Sequence, residues 1–183
     1  MNYFNALLVA VACTWITGCG NSANAAQTSA DPKAQPNNNY GDIILFDADG
    51  VKNCTLSVPE TKETFNFSNS SQTCTNNTAA SFILQNIPSA TLIQFYSNEL
   101  CSDAKNQSNF FVKLKTVKQP TDWTTPAPGE SMNFIDLQKK KAGDLIPKKY
   151  IRVEDHWNGS DFDGENWDEH ISCVYIERSQ PVN

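Results

Sequence analysis

The sequence predicts an all-β domain in which antiparallel strands form a sandwich or a barrel. Short segments rich in β-branched and aromatic residues recur along the chain, and turns of Asn, Asp, Gly and Pro separate them. No segment repeats its apolar residues with the period of an α-helix. The segments with the strand pattern are Asp42–Asp47, Cys54–Val58, Thr64–Phe67, Ser81–Leu84, Thr91–Tyr96, Phe110–Val117, Met132–Leu137, Tyr150–Val153 and Ser172–Glu177.

Turn signals place the ends of these strands. The tetrapeptide Asp47-Ala48-Asp49-Gly50 follows the first strand and is typical of a hairpin turn. The segment Gln119–Glu130 contains three prolines, which cannot donate the backbone hydrogen bonds of a sheet. We therefore expect a surface loop there, with Trp123 folded back against the domain.

The composition excludes several classes of protein. The chain has 183 residues with 14 Lys+Arg against 20 Asp+Glu, a formal net charge of −6, and 39% hydrophobic residues. This hydrophobic content excludes a disordered acidic tail, and no apolar run approaches the roughly twenty residues of a membrane-spanning helix. Nucleic acid is not an expected partner, because the basic residues cluster only at Lys139-Lys140-Lys141 and Lys148-Lys149.

The first residues have the pattern of an export signal. Residues 6–18 (ALLVAVACTWITG) are apolar over the length of a signal-peptide core, and Ile16-Thr17-Gly18-Cys19 resembles the lipobox of bacterial lipoproteins. The resemblance implies removal of residues 1–18 and a diacylglycerol on Cys19 that attaches the protein to a membrane. Because Gly20 follows the cysteine, it also implies an outer membrane lipoprotein that faces the periplasm or the surface. Cleavage after Ala25, at a small-x-small pattern, would instead release a soluble secreted protein.

One domain is expected after this signal. Residues 19–40 are small, polar and proline-containing, and we predict that they form a lipidated or flexible tether. Residues 41–183 hold all the predicted strands, and this length suffices for a single hydrophobic core. The sequence therefore predicts one β-sandwich domain behind a tether.

Cysteine usage agrees with export. Cys13 leaves with the signal and Cys19 carries the lipid, so four of the six cysteines remain. An even number in an oxidising compartment indicates two disulfides, for which three pairings are open. Zinc is not expected, because no C-x-x-C pair or matched Cys/His spacing occurs. The remaining cysteines are Cys54, Cys74, Cys101 and Cys173.

The two halves of the domain resemble each other. Asn76-Asn77-Thr78-Ala79-Ala80-Ser81 precedes one strand, and Asp168-Glu169-His170-Ile171-Ser172-Cys173 precedes another. Both hexapeptides are similar to the βγ-crystallin motif, in which two Asn or Asp residues, two variable residues and Ser/Thr-Ser open the last strand of each Greek key. The starts of the halves, Ile43–Asp47 and Leu92–Tyr96, match as well, and a cysteine soon follows each of them.

This resemblance implies a more detailed fold. It covers about residues 41–178 and predicts an antiparallel double Greek-key sandwich of βγ-crystallin type. The repeat also favours one of the open disulfide pairings, Cys54 with Cys74 and Cys101 with Cys173. By loop entropy each disulfide would contribute about 3 to 4.5 kcal/mol.

Calcium is the cofactor that the resemblance implies. Paired Asn/Asp side chains, a carbonyl and a hydroxyl supply hard oxygen ligands, and each Greek key completes the other's site. By the resemblance, Asn77 and Glu169 supply side-chain oxygens, Thr78 and His170 supply carbonyls, and Ser172 supplies a hydroxyl. The full candidate metal set is Asn76, Asn77, Thr78, Asp168, Glu169, His170 and Ser172.

Three positions depart from the family motif. Ala80 stands in place of Ser or Thr, Glu169 in place of Asn or Asp, and Cys173 in place of the final Ser. The alternative is therefore a motif whose Asn and Ser residues cap a tight corner between strands and bind no metal.

Catalytic motifs are missing from the sequence. It has no H-E-x-x-H, no G-x-S-x-G and no glycine-rich phosphate loop. The two histidines, His156 and His170, lie in or next to the acidic segment Glu154–Glu169, which holds seven acids and no Lys or Arg. Such a segment raises local cation affinity and is typical of a solvated face. We therefore predict no catalytic residue and a non-enzymatic structural or binding module, either at the cell envelope or secreted.

The alternative function is an inhibitor or immunity protein that blocks an exported hydrolase or peptidase. Small disulfide-bonded β domains, some of them βγ-crystallin-like, fill the cleft of such a protein partner with an exposed loop. The candidate loops are Gln119–Glu130 and Trp157–Trp167, because exposed aromatic anchors dominate binding energy. The partner-binding residues would then be Trp123, Trp157 and Trp167.

Overall fold

Short antiparallel strands make up most of the described chain, which confirms the predicted all-β class. The structure is a computed structural model and describes residues 40–69, 74–124 and 131–179, all within the compact unit Asn37–Asn183. The elements are β1 (Asp42–Phe46), β2 (Lys52–Ser57), β3 (Lys62–Asn66), β4 (Ser81–Gln85), β5 (Leu92–Tyr96), β6 (Phe110–Thr116), β7 (Met132–Asn133), α1 (Phe134–Gln138), β8 (Leu145–Ile146), β9 (Ile151–Asn158) and β10 (Cys173–Glu177).

Several sequence predictions lie outside the described residues. These are the signal peptide 1–18, the cysteines Cys13 and Cys19, the alternative cleavage site after Ala25, the tether up to residue 39, and residues 125–130 of the proline-rich loop. Within the described ranges, no helix has the length and apolar character needed to cross a membrane.

The predicted strand Met132–Leu137 is wrong beyond its first two residues. Met132–Asn133 forms β7, and the helix α1 follows it directly. Phe134 and Leu137 are three residues apart and both fully buried, a spacing that one helical turn places on a single face. The backbone N–H of Ile135, in the first turn, donates to Asp168 Oδ1 (3.1 Å), which stabilises the start of the helix.

The region around β9 also differs from the prediction. The predicted strand Tyr150–Val153 covers only the start of β9, which continues to Asn158. Tyr150 itself lies before the strand with a left-handed backbone (φ 54°). The edge strand β8 has two residues and was not predicted, because two residues are too few to establish an alternating pattern.

The strands form two sheets that exchange strands between the halves of the chain. One sheet has the order β2-β1-β4-β7, and the other has the order β3-β10-β5-β6-β9-β8. β3 follows β2 in sequence but pairs with β10 in the second sheet. Conversely, β7 comes from the second half and pairs with β4 in the first sheet. Each sheet therefore depends on a strand supplied by the other half.

An aromatic cluster joins the two sheets. The ring centroid of Phe82 on β4 lies 4.8 Å from that of Phe95 on β5. Phe134 on α1 lies 5.4 Å from Phe82 and 4.9 Å from Phe95. All three rings are fully buried. Because aromatic rings bury more area than other side chains, this cluster makes a large contribution to the contact between the sheets.

The structure confirms both predicted disulfides. Cys54–Cys74 joins residues 20 apart in the sequence, and Cys101–Cys173 joins residues 72 apart. The second disulfide fastens the loop after β5 to the first residue of β10. There Cys173 lies with Tyr96 and Phe111 in a small buried cluster on the outer face of the second sheet. Two disulfides are consistent with an exported, non-cytoplasmic protein.

Removing the disulfide that closes the longer loop should cost more stability than removing the other. Cys101→Ala/Cys173→Ala should lower the free energy of unfolding by about 4 kcal/mol and Cys54→Ala/Cys74→Ala by about 3 kcal/mol, since a longer closed loop constrains the unfolded chain more. Urea unfolding of both double variants and the wild type measures the two losses. A larger loss for the shorter loop would contradict loop closure as their main contribution.

Candidate functional site

The two predicted motifs lie against each other at one end of the sandwich. The backbone N–H of Asn77 donates to the carbonyl of Ile171 (3.2 Å), and the N–H of Glu169 donates to the carbonyl of Ala79 (2.9 Å). Each hydrogen bond runs from the second position of one motif to the fourth position of the other. The two loops are therefore related by an approximate two-fold axis.

The backbone repeats this symmetry. Asn77 (φ 53°) and Glu169 (φ 65°) occupy the same motif position, and both have left-handed backbone angles. Asn adopts this conformation with little strain, whereas Glu adopts it at a cost of about 1 to 3 kcal/mol. The contacts around Glu169 must offset this strain. The fold therefore holds both loops in this conformation.

A side-chain pair connects the motifs on one side of the axis. The hydroxyl of Ser172 donates to Asn77 Oδ1 at 2.7 Å, although the two residues are 95 positions apart. Ser172 is 4% exposed, so its hydroxyl is held in a protein environment. The structure thus brings together one predicted amide ligand and the one predicted hydroxyl ligand.

The other side of the axis is incomplete. Ala80 takes the place that corresponds to Ser172 and is buried, so no hydroxyl faces Glu169 there. The departure seen in the sequence at Ala80 thus falls at the position related to Ser172. Of the two related residue pairs, Asn77–Ser172 has an oxygen on both side chains, whereas Glu169–Ala80 has an oxygen only on Glu169.

The remaining predicted ligands have other roles or partners. Asp168 accepts the Ile135 N–H through Oδ1 and the side-chain amide of Asn166 through Oδ2 (2.9 Å). The Thr78 hydroxyl donates to the carbonyl of Thr75 (2.7 Å). His170 is exposed, and its ring contacts Phe162 edge to face at 5.8 Å.

Asn76 contains the most unusual polar atom near the site. Its side-chain amide donates to the Ser68 hydroxyl (3.0 Å). Its Oδ1 is buried and has no hydrogen-bond partner among the described residues. A buried acceptor without a donor costs free energy, so an additional partner at this point is physically favoured.

An open polar depression adjoins the incomplete side. The predicted turn Asp47-Ala48-Asp49-Gly50 is confirmed, with a hydrogen bond from Val51 N–H to Asp47 Oδ1 (2.8 Å), and its residues line the same depression as Asp168. The volume is about 410 Å³. In the part of the chain that the structure covers, no three His, Cys, Asp or Glu side chains are close enough to hold a metal ion together. The lining residues are Asp47, Ala48, Asp49, Gly50, Ala80, Ser81, Ser131, Asn133 and Asp168.

The acidic segment does not form a single chelating loop. Glu154 pairs with Arg152 (2.6 Å) and Asp155 pairs with Lys105 (3.2 Å). Asp163 accepts a hydrogen bond from the Asn158 side chain (3.0 Å). The carboxylates are therefore distributed along β9 and the following turns, and several have partners of their own.

Two of the three predicted partner-binding tryptophans belong to the core. Trp123 is 4% exposed, donates from Nε1 to the carbonyl of Lys149 (2.9 Å), and is folded back against the domain as predicted. Trp167 is 0% exposed and stacks on Phe110 with ring centroids 4.1 Å apart. Trp157 is partly exposed, and its Nε1 donates to the carbonyl of Asn106 (2.8 Å).

His156 packs against the buried ring of Trp167. The two rings stack with centroids 4.9 Å apart, and His156 Nε2 is buried without a hydrogen-bond partner among the described residues. Burial lowers the pKa of His156 below its ordinary 6.5, and this effect exceeds the opposing effects of the Gln138 backbone, Asp155 and Asp144. The imidazole is therefore neutral at pH 7 and packs like an apolar ring.

Comparison with known proteins assigns no family to this chain. No protein-family model matches it, and neither the curated proteins nor the solved structures include a significant match.

Two features of this end of the domain were not found from the sequence. Asp47 and Asp49 line the same depression as Asp168, which lies far from them in the sequence, and no local pattern encodes this proximity. The stack of His156 on Trp167 likewise depends on the path of the chain after β9.

Protonation of His156 should destabilise the protein as the pH falls below 6.5. The unfolded chain binds this proton near pH 6.5, whereas the folded chain binds it only at lower pH, so acid favours the unfolded state in this window. His156→Phe keeps the stack and should flatten the dependence of melting temperature on pH between about 7.5 and about 5. His170→Phe is the control, because His170 is exposed. An unchanged profile in His156→Phe would refute this assignment.

Proposed function

We propose that this chain is a non-enzymatic βγ-crystallin-like module, held at the cell envelope by a lipid on Cys19 and stabilised by calcium. The observation that carries the proposal is the reciprocal contact of the two motif loops, in which Ser172 Oγ lies 2.7 Å from Asn77 Oδ1. Such a module needs no catalytic residues, since its role is structural or binding.

The strand order supports the crystallin type. In the first half, β1, β2 and β4 lie together and β3 crosses to the other sheet; in the second half, β5, β6 and β10 lie together and β7 crosses, while β9 and β8 extend the sheet beside β6. A fourth strand that returns beside the first is the connection of a Greek key. Two Greek keys in one domain are what the resemblance implies for residues 41–178.

The chemistry of the complete side supports calcium. Asn77 Oδ1 and Ser172 Oγ are uncharged hard oxygens on different loops, and Thr78 could add its carbonyl. Nearby, the buried Asn76 Oδ1 lacks a donor among the described residues and would gain from a cation. A site with so few carboxylates is expected to bind calcium weakly, with a Kd of about 10⁻⁴ to 10⁻³ M, typical of extracellular modules. Bound calcium would join the two halves through their loops.

Calcium should raise the melting temperature of the mature chain. At about 10 mM calcium, such a Kd gives about 1.4 to 2.7 kcal/mol of added stability, or about 4 to 10 °C, relative to EDTA. Ser172→Ala should abolish this increment, because it removes the hydroxyl that donates to Asn77 Oδ1. Differential scanning calorimetry with EDTA and with calcium measures the increment separately from any loss of basal stability.

Two further variants separate calcium binding from a purely structural corner. Thr78→Val removes a hydroxyl but leaves the backbone carbonyl, so the calcium increment should remain. Ala80→Ser adds the missing hydroxyl opposite Glu169 and should increase it. If the wild type shows no increment at all, the motif acts only as a folding corner, and the calcium part of the proposal fails.

Export and lipidation are supported by the disulfides and the lipobox. Both disulfides require an oxidising compartment during folding. The lipobox Ile16-Thr17-Gly18-Cys19 provides an acylation site, and Gly20 favours the outer membrane over retention elsewhere.

The mature protein should begin at an acylated Cys19. Expression in a Gram-negative host with a labelled fatty acid should label the wild type but not Cys19→Ser, and the intact mass should include a diacylglycerol. An unlabelled protein whose first residue is Ala26 would show cleavage after Ala25 and a secreted protein instead.

The inhibitor alternative receives no comparable support. Its anchors Trp123 and Trp167 are 4% and 0% exposed, and an aromatic anchor must be exposed to enter a partner's cleft. Only Trp157 retains partial exposure, and its indole N–H already has a backbone partner.

A further inference from the structure

Exposed apolar side chains are concentrated at one corner of the second sheet. Of the five large apolar residues that are exposed in the described chain, three lie there: Val117 (47%), Leu145 (55%) and Tyr150 (41%). Val117 N–H donates to the carbonyl of Tyr150 (2.9 Å), and Leu145 pairs with Arg152 on the adjacent strand. We call residues 115–118 and 145–152 together the basic corner.

The corner has the opposite charge to the rest of the chain. Its two segments contain five basic residues and no acid, in a chain of net charge −6. Lys118 Nζ lies 4.3 Å from the centre of the Tyr150 ring, and Lys148 is exposed. The charge of Arg152 is offset by Glu154 (2.6 Å), so the lysines dominate. The basic residues are Lys115, Lys118, Lys148, Lys149 and Arg152.

The chain enters the domain at this same end. Tyr40, the first described residue, lies against Arg178, whose guanidinium carbon is 3.8 Å from the centre of the ring. The next residue, Ser179, donates to the carbonyl of Ala90 (2.8 Å), and Ala90 N–H donates to the carbonyl of Thr116 (2.8 Å). Thr116 precedes Val117 directly. Tyr40 and the basic corner thus lie at one end of the sandwich, and the motif loops lie at the other.

We propose that the basic corner docks on an anionic phospholipid bilayer, with Val117, Leu145 and Tyr150 entering the interface and the lysines contacting lipid phosphates. The proposal rests on the lipid anchor at Cys19 proposed above, which would hold this end of the domain toward the membrane. Lysines reach headgroups while their stems cover apolar surface, and Tyr prefers the membrane interface. A second contact also adds to the affinity that a lipid anchor alone provides.

The test uses residues 19–183 carrying Cys19→Ser, so that no lipid contributes to binding. This protein should sediment with vesicles of phosphatidylglycerol and phosphatidylcholine in equal parts, but not with phosphatidylcholine alone, and salt should weaken the binding. Lys148→Glu should lower the partition coefficient about fivefold or more, and Leu145→Ser about fivefold. Tyr150→Asn should also weaken binding, and Asn tolerates the left-handed backbone at this position.

Matched controls lie at the opposite end of the sandwich. Lys52→Glu reverses an exposed lysine, and Leu100→Ser removes an apolar side chain that is 82% exposed. Both should bind vesicles as the parent protein does. Equal losses in the controls, or no preference for phosphatidylglycerol, would overturn the docking surface. A concentration-dependent dimer that the corner variants dissociate would show instead that a second copy covers this face.

The outcomes for the anchor and for the docking surface are distinguishable. If Cys19 is acylated but the unlipidated chain does not bind vesicles, only the docking surface is refuted. If the unlipidated chain binds vesicles but Cys19 is not acylated in cells, only the lipid anchor is refuted.

Discussion

The exchange of one strand between the halves is the constraint on which the other features depend. β3 completes the sheet of the second half, and β7 extends the sheet of the first. This crossing brings the loops before β4 and β10 back to back, so that Asn77 and Glu169 can donate to each other's loop. The same arrangement places Phe82 and Phe95, from different sheets, in direct contact. The core and the candidate calcium site therefore share one structural cause.

The sequence predicts features that are encoded locally. Alternation along β1 buries Ile43 and Leu45 and leaves their neighbours partly exposed, and such a pattern can be read without tertiary information. The segment Met132–Leu137 cannot be assigned in this way, because its apolar spacing fits both a strand and one turn of helix. The distant carboxylate of Asp168 supports the helix at Ile135.

The candidate site shows the same limit. The family resemblance implies that each half completes the other's site and assigns Asn77 and Ser172 to it. The contact between these two side chains agrees with that expectation. The inhibitor alternative places Trp167 in a partner-binding loop as an exposed aromatic anchor. The burial of Trp167 depends on stacking between Phe110 and His156, and no local pattern encodes that contact.

Strand exchange also bears on how such a domain could arise. A chain with only the first half would leave β3 and β4 without the partners that β10 and β7 supply, and two identical copies could satisfy both needs as a symmetric dimer. In that dimer, a substitution would alter both related sites together. Fusion of the halves into one chain removes this coupling, so Ala80 can lack a hydroxyl while Ser172 keeps one. A fused chain can therefore have an asymmetric site, whereas a homodimer of identical halves cannot.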